Sequence, residues 1–212
     1  KANEDIMYYV TWSEGFRPGL LNRPAGTSNG AGYTIPAVTD TDEVTNLEFG
    51  WKASLMDGAL RFNGSAYMVD ISGLQSTIFD AAIVNLFFSD NAADAEITGV
   101  EGDFVYVTGN GLMLSGAFSL LDSELTKSLV PTSDIVVGSE LAFAPGYQAN
   151  IAARKEWGLS SGNTGHWQAQ MTRSDESFSD IMEPNRAVQG SYSLFNVRTG
   201  MSNDEWTAEV YI

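Results

Sequence analysis

Leu47-Glu48-Phe49-Gly50-Trp51-Lys52-Ala53-Ser54-Leu55, then Asp57-Gly58, then Leu60-Arg61-Phe62-Asn63-Gly64-Ser65-Ala66-Tyr67-Met68 reads as two strands around a tight turn. Leu47, Phe49, Trp51, Ala53 and Leu55 alternate with Glu48, Gly50, Lys52 and Ser54, and the period of two places the two sets on opposite faces. After the turn, Leu60, Phe62, Gly64, Ala66 and Met68 oppose Arg61, Asn63, Ser65 and Tyr67. Asp-Gly between alternating runs is a hairpin signal, because glycine enters the left-handed region at no steric cost.

The same grammar recurs outward from this hairpin. Upstream, Ile6, Tyr8, Val10 and Trp12 share one face against Asp5, Tyr9, Thr11 and Ser13. Downstream, Val100, Gly102, Phe104 and Tyr106 run into Thr108-Gly109-Asn110-Gly111, and Leu112, Leu114, Gly116, Phe118 and Leu120 run out of it. A third hairpin leads from Tyr147, Ala149, Ile151 and Ala153 through Ser160-Ser161-Gly162-Asn163 to Trp167, Ala169 and Met171. A fourth joins Phe195, Val197, Thr199 and Met201 to Trp206, Ala208, Val210 and Ile212 across Ser202-Asn203-Asp204. Helical spacing is nearly absent.

Between the hairpins lie long polar connections: Gly15 to Asp42, Ser72 to Glu96, Asp122 to Ala142 and Ser174 to Ser191, the second and third with room to continue as strands. Short and long connections alternate, which matches the short turns and long loops at the two ends of an outer-membrane barrel. The faces agree. The apolar rows carry almost no charge, whereas the opposing rows hold Glu48, Lys52, Arg61, Glu101, Asp103, Arg154 and Glu209. An Arg or Lys facing lipid at mid-depth costs about 2–4 kcal/mol, so the polar face is the luminal one. Asp70 and Lys155 break the rule and are expected near a rim. Tyr8, Trp12, Trp51, Tyr106, Tyr147, Trp157, Trp167 and Trp206 sit close to segment ends, where an aromatic girdle lies; ordinary core aromatics are the alternative.

Composition narrows the function classes. The 27 acidic and 11 basic residues give a net charge of −16, which argues against nucleic acid as a partner. With no cysteine, disulfides, thiolate metal sites and cysteine nucleophiles are excluded. No apolar run is long enough for a spanning helix, but a spanning strand needs only about 9–11 residues. Lys1-Ala2-Asn3 begins no signal segment and Val210-Tyr211-Ile212 stops in mid-alternation, so both ends read as cut.

One stretch carries a family resemblance. Tyr9-Val10-Thr11-Trp12-Ser13-Glu14-Gly15-Phe16-Arg17-Pro18-Gly19-Leu20-Leu21-Asn22 resembles the strand-to-loop segment of TonB-dependent receptors, with Leu20 where a second glycine is usual. Glu48 to Lys52, Asp57 to Tyr67 and Asp70 to Gln75 resemble the family's next hairpin; Asn91 to Glu101 is similar to its glycine-punctuated descent into a strand, with Ala93 at a frequent glycine position. Leu141-Ala142-Phe143-Ala144-Pro145 resembles the entry to the strand after. These matches run in order along almost the whole chain.

The resemblance implies an all-β fold: an antiparallel up-and-down transmembrane β-barrel, here an incomplete sector of about nine strands from a barrel of about 22 with a plugged lumen. Residues 1–212 then form one partial barrel domain, without plug, TonB box or signal peptide. It implies a receptor in the outer membrane of a Gram-negative bacterium, importing a ferric siderophore, haem, cobalamin or glycan. Its partners would be outer-membrane lipid, a small-molecule or metal-chelate ligand, and TonB, reached through the missing N-terminal region. The alternative is a soluble or surface-exposed all-β module that recognises a glycan or protein through its loops.

Ligand contact would come from loop positions, and Arg17, Asn22, Arg23, Tyr33 and Asp90 are the candidates. For Arg17 a structural role weighs more, a guanidinium at a strand exit holding a carboxylate or loop carbonyl. Gly26 to Gly32 lacks the Gly-Lys-Ser/Thr of a phosphate cradle and reads as a loop. Asp90, Asp94 and Glu96, and Asp175, Glu176, Asp180 and Glu183, lack EF-hand spacing and read as solvated acidic loops, so no metal is expected. His166, the single histidine, is placed at a turn with no partner for a zinc site or triad. No cofactor and no catalytic residue are expected; the chain does not read as an enzyme.

Overall fold

The computed structural model describes residues 4–23, 25–30, 32–160 and 162–212. The opening Lys1, Ala2 and Asn3, Pro24, Ala31 of the glycine-rich run and Ser161 of the third turn lie outside them. Eleven strands follow in chain order: β1 Ile6–Arg17, β2 Asp42–Leu55, β3 Leu60–Asp80, β4 Val84–Val107, β5 Leu112–Ser128, β6 Tyr147–Gly158, β7 Thr164–Ser174, β8 Ser177–Phe178, β9 Val188–Gln189, β10 Tyr192–Ser202 and β11 Thr207–Tyr211. One 3-10 turn, Glu183–Asn185, lies between β8 and β9. Nine strands form a single sheet in the order β1-β2-β3-β4-β5-β6-β7-β10-β11, all antiparallel, and β8 and β9 form a small ribbon between β7 and β10. The sheet is not closed: β1 and β11 each pair on one side only. Every wall strand pairs with its neighbour in the chain, apart from the ribbon excursion, which is the up-and-down order expected.

The register places the side chains as the alternation requires. Val10, Phe49, Ala66, Val100 and Leu120 fall in one cross-strand row, and Trp12, Leu47 and Met68 in the next. These rows face outward: Val10 and Phe195 are each 68% exposed. The opposite face is polar. Tyr9, Ser65, Glu101, Ser119, Gln148 and Ser174 share a row there, and with Lys52, Asn63, Asp103 and Asn150 they line an open hollow of about 680 Å³. Asp70 lies in an outward row with Glu14, Thr45, Glu96 and Glu124, towards the long-loop end. Lys155 faces outward at the level of the β4–β5 turn and donates to the Asn110 carbonyl. Both sit near an end of the wall.

Glycines on the wall mark where rings cross. Tyr9 lies over Gly50, Trp51 over Gly64 and Phe104 over Gly116, each opposite its partner in the ladder, and a Cβ on any of these glycines would run into the ring. An aromatic laid over a glycine on the next strand shields backbone that would otherwise stay bare. Trp51 and Trp157 therefore have a cross-strand packing role besides their place near strand ends.

Two expectations are sharpened and one needs correction. The connection from Ser72 to Glu96 is mostly strand: β3 and β4 are 21 and 24 residues long and continue as a two-stranded finger, closed by residues 81–83. Gly73, at a φ of 67°, sits at a register shift between Ile71 and Leu74, which lets the hairpin bend without ending. The β2–β3 connection spans residues 56–59 between the paired Leu55 and Leu60, centred on Asp57-Gly58 as expected. Gly58 N–H donates to the Leu55 carbonyl at 3.2 Å, and both residues it encloses, Met56 and Asp57, have a φ of 56°, the signature of a type I′ turn. Ala59 N–H donates to the Met56 carbonyl at 3.1 Å in a second, overlapping turn. Finally, His166 is not in a turn; it is the third residue of β7 and is 2% exposed.

Candidate functional site at the long-loop end

The wall contributes almost nothing to the buried apolar core, because one of its faces is outward and apolar and the other is polar. Among the described residues, Ala53 is the only buried apolar residue that lies elsewhere; the remaining thirteen form one cluster at the long-loop end. They come from four connections. Ile35 belongs to residues 18–41, Ile78, Ile83 and Phe88 to the finger, Val130, Ile135 and Leu141 to residues 129–146, and Ile181 and Met182 to residues 175–191. Alanines 92, 93 and 95 of β4 and Leu125 of β5 form its floor. The long connections thus assemble a packed cap with a buried apolar interior.

Three side-chain amides fasten residues 18–41 to the finger. Asn22 Nδ2 donates to the Ser89 carbonyl at 2.7 Å while its Oδ1 accepts from Ser89 N–H at 2.7 Å, the pairing that a neighbouring strand would supply. Asn91 does the same for Asp40, accepting from its N–H at 2.8 Å and donating to its carbonyl at 3.0 Å. Gln75 Nε2 faces the carbonyls of Arg17, Pro18 and Asp40 at 3.1 Å each. Backbone groups that leave a ladder must find partners, and here amide side chains substitute for the missing strand.

The five sequence candidates divide accordingly. Arg17 takes the structural role: its Nε donates to Asp42 Oδ2 at 2.9 Å, its Nη2 pairs with the same carboxylate, and Nη2 also donates to the Gln75 carbonyl at 3.0 Å. Asp42 is buried, so the charge-assisted pair ties the exit of β1 to the start of β2. Tyr33 OH donates to Asp90, and its ring leans on Phe88 at 6.2 Å between centroids. Burial, then the hydrogen bond to Asp90, holds the Tyr33 phenol well above its ordinary value of 10.0. Asn22, Tyr33 and Asp90 are therefore brought together on one seam, with Arg17 at its root. Arg23 is exposed and makes no hydrogen bond or ion pair among the described residues.

The acidic runs do not converge. Asp94 accepts from Gly73 N–H at 2.8 Å and Asp180 from Met182 N–H at 2.9 Å, and no group of three or more carboxylates or histidine is placed to hold a metal among the described residues. On the polar face near the short turns, His166 Nε2 lies 2.8 Å from Glu209 Oε1. The two sit on β7 and β11, and Gly200 of β10 lies between them with no side chain to intervene. Sequence reasoning missed Gln75 and Asn91 as fasteners and the apolar cluster altogether. The available signal was Ile78, Ile83, Phe88, Ile181 and Met182, apolar residues inside connections that otherwise read as polar.

The family model described as TonB dependent receptor-like, beta-barrel, matches residues 1–212. The chain belongs to this family of TonB-dependent receptors. Among solved structures of such receptors, the chain is similar to the ferric yersiniabactin uptake receptor FyuA from Yersinia pestis, with a TM-score of 0.70 at 16% identity over 93% of this chain and 28% of that one. BauA, the ferric preacinetobactin receptor from Acinetobacter baumannii, superposes with a TM-score of 0.69 at 21% identity, over 96% of this chain and 28% of its own. The ferric citrate transporter FecA, unliganded, gives 0.67 at 11%, over 94% and 29%. At such identities the likeness is one of fold. The chain spans a little over a quarter of the length of these TonB-dependent receptors, and the nine-stranded open sheet is the corresponding sector of their barrel wall.

Proposed function

We propose that the chain is a wall sector of an outer-membrane receptor that imports a scarce nutrient, a ferric chelate first among the candidates. The observation that carries the reading is the whole-chain family match, together with a wall that is apolar outside and polar inside. The similar receptors are named for ferric yersiniabactin, ferric preacinetobactin and ferric citrate, which favours an iron chelate over the haem, cobalamin or glycan also implied by the resemblance. In this reading lipid covers the outward rows, the cap faces the cell exterior, and the short turns face the periplasm, where TonB supplies the energy through a segment of the parent protein. A soluble binding module fits poorly: it would expose a polar surface where Val10, Trp12, Phe49 and Phe195 stand bare.

No residue is assigned a catalytic role. Among the loop candidates, Arg23 is exposed and has no partner among the described residues, which makes it the one to meet a ligand, whereas Arg17, Asn22, Tyr33 and Asp90 shape the surface that presents it. The test is uptake of radiolabelled ferric chelates by iron-starved cells carrying the full receptor, with and without TonB. Uptake that requires both supports the reading; wild-type accumulation in cells lacking the receptor overturns it. Arg23→Ala is expected to weaken uptake with the unfolding temperature unchanged.

A further inference from the structure

The chain holds three Asn-Gly pairs, Asn29-Gly30, Asn63-Gly64 and Asn110-Gly111. The second lies within β3 and the third in the β4–β5 turn, and their surroundings are opposite in kind. We propose that Asn110 is a self-modification site: the turn promotes attack of the Gly111 nitrogen on the Asn110 side chain, which loses ammonia and ends as an acid. In this step the Gly111 nitrogen gives its proton to solvent and bonds to Cγ. The Cγ–Nδ2 bond then breaks, Nδ2 takes up a proton and leaves as ammonia, and water opens the resulting cyclic imide to aspartate or isoaspartate.

Each group that must act is placed for it. Asn110 Oδ1, where negative charge develops, accepts from Thr108 Oγ1 at 2.5 Å and from Leu112 N–H at 3.3 Å. Reaching the N–H two residues on folds the side chain forward over the Gly111 nitrogen, as in an Asx-turn. Lys155 Nζ donates to the Asn110 carbonyl, which belongs to the same peptide group as that nitrogen, so the ammonium draws electrons from the group and makes its N–H more acidic. That N–H is held only by a long hydrogen bond to the Thr108 carbonyl, at 3.3 Å. Nδ2, the leaving group, has no partner among the described residues, and Asn110 and Gly111 are both exposed. No side chain can shield the nitrogen at position 111 without strain: Gly111 has a φ of 82°, and a Cβ there would lie 2.7 Å from the Glu156 carbonyl oxygen.

Asn63 shows the reverse arrangement. Its Nδ2 donates to both Asp103 oxygens, at 3.1 and 3.3 Å, which holds the leaving group in place. Gly64 lies inside the ladder, paired with Trp51 on one side and Gly102 on the other, so its nitrogen is committed to the sheet. Conversion at Asn110 sets a new carboxylate beside the Lys155 ammonium, and the short-turn end of β4, β5 and β6 gains an ion pair with age.

The test is peptide mapping by mass spectrometry of the full receptor, aged in detergent in mildly alkaline buffer made with heavy-oxygen water, so that only acid formed during the incubation carries the label. Asn110 is expected to convert at least about tenfold faster than Asn63. Thr108→Val removes a donor to Oδ1 and Lys155→Met removes the cation from the peptide carbonyl; each is expected to slow Asn110 by about three- to tenfold and to leave Asn63 unchanged. Lys155 lies on β6, outside the turn, so its variant decides even where Thr108→Val reshapes the turn. An Asn110 that converts no faster than Asn63, or a Lys155→Met receptor that converts as fast as wild type, overturns the proposal. No cargo enters the measurement, so its result stands whether or not the import reading does.

Discussion

Met56 shows how a single residue departs from its own pattern. The type I′ turn needs a positive φ at both central positions, and Met56 occupies one of them at 56°, where its Cβ crowds the backbone. The side chain is largely exposed and packs little, so the conformation is imposed by the ladders on either side. Met56→Asn is expected to stabilise the receptor by about 1 kcal/mol, because asparagine tolerates the left-handed region. An unchanged or lowered urea midpoint for the full receptor in detergent would count against this account. Tyr33 supplies a titration. Its phenol is held above its ordinary value in the folded state, so the stability it lends is fully present below that value and is lost as pH rises through the raised one. A difference titration of phenolate absorbance between the receptor and Tyr33→Phe should then show the missing phenol ionising later than an ordinary tyrosine. If it ionises at the ordinary pH, Tyr33 is not buried against Asp90.

At the scale of elements, the strands were the legible part. Alternation located both faces, and the polar set Glu48, Lys52, Glu101 and Asp103 lies on the concave side as the lipid penalty requires. Arg17 was legible too, since a cation at a strand exit needs an anion, and Asp42 is the residue opposite it in the ladder. The cap was not. Its cluster joins residues as far apart as Ile35 and Met182, and contacts between loops of different length leave no period to read. That β3 and β4 had room to continue was legible, but not where they end: Gly73 and the register shifts interrupt the alternation at the point where the strands go on. Two predictions belong here. Gly50→Val should force Tyr9 off its partner strand and break its hydrogen bond to Glu48, at a cost of about 1–3 kcal/mol in the unfolding of the receptor. Met182→Ala, fully buried in the cap, should cost the cap about 2–5 kcal/mol, read as faster exchange at the Glu183 and Phe143 amides while wall amides keep their protection. Equal loosening of wall and cap would mean they are one cooperative unit.

Over the whole molecule, the open sheet sets the limit on what this sector does alone. β1 and β11 each present one unpaired edge, and an unpaired N–H or carbonyl in hydrocarbon costs several kcal/mol. The isolated 212-residue chain is therefore expected to aggregate or to insert without closing. A heat-modifiable monomeric band after refolding into detergent would show that the edges had found partners and would refute this.

The length of the finger has a consequence for what can touch the molecule from outside. At about 3.3 Å per residue, a strand tilted by about 40° needs only some 10 residues to cross an apolar band about 25 Å tall. β4 has 24, so more than half of it stands clear of such a band. Near its tip Phe87 is 69% exposed and its ring leans on that of Phe79, tilted by 37° at 4.9 Å between centroids. For a particle too wide to enter among the lipids, such as an antibody or a virus, that aromatic pair is the foremost landmark of this sector, and the wall that gives the protein its fold would be invisible.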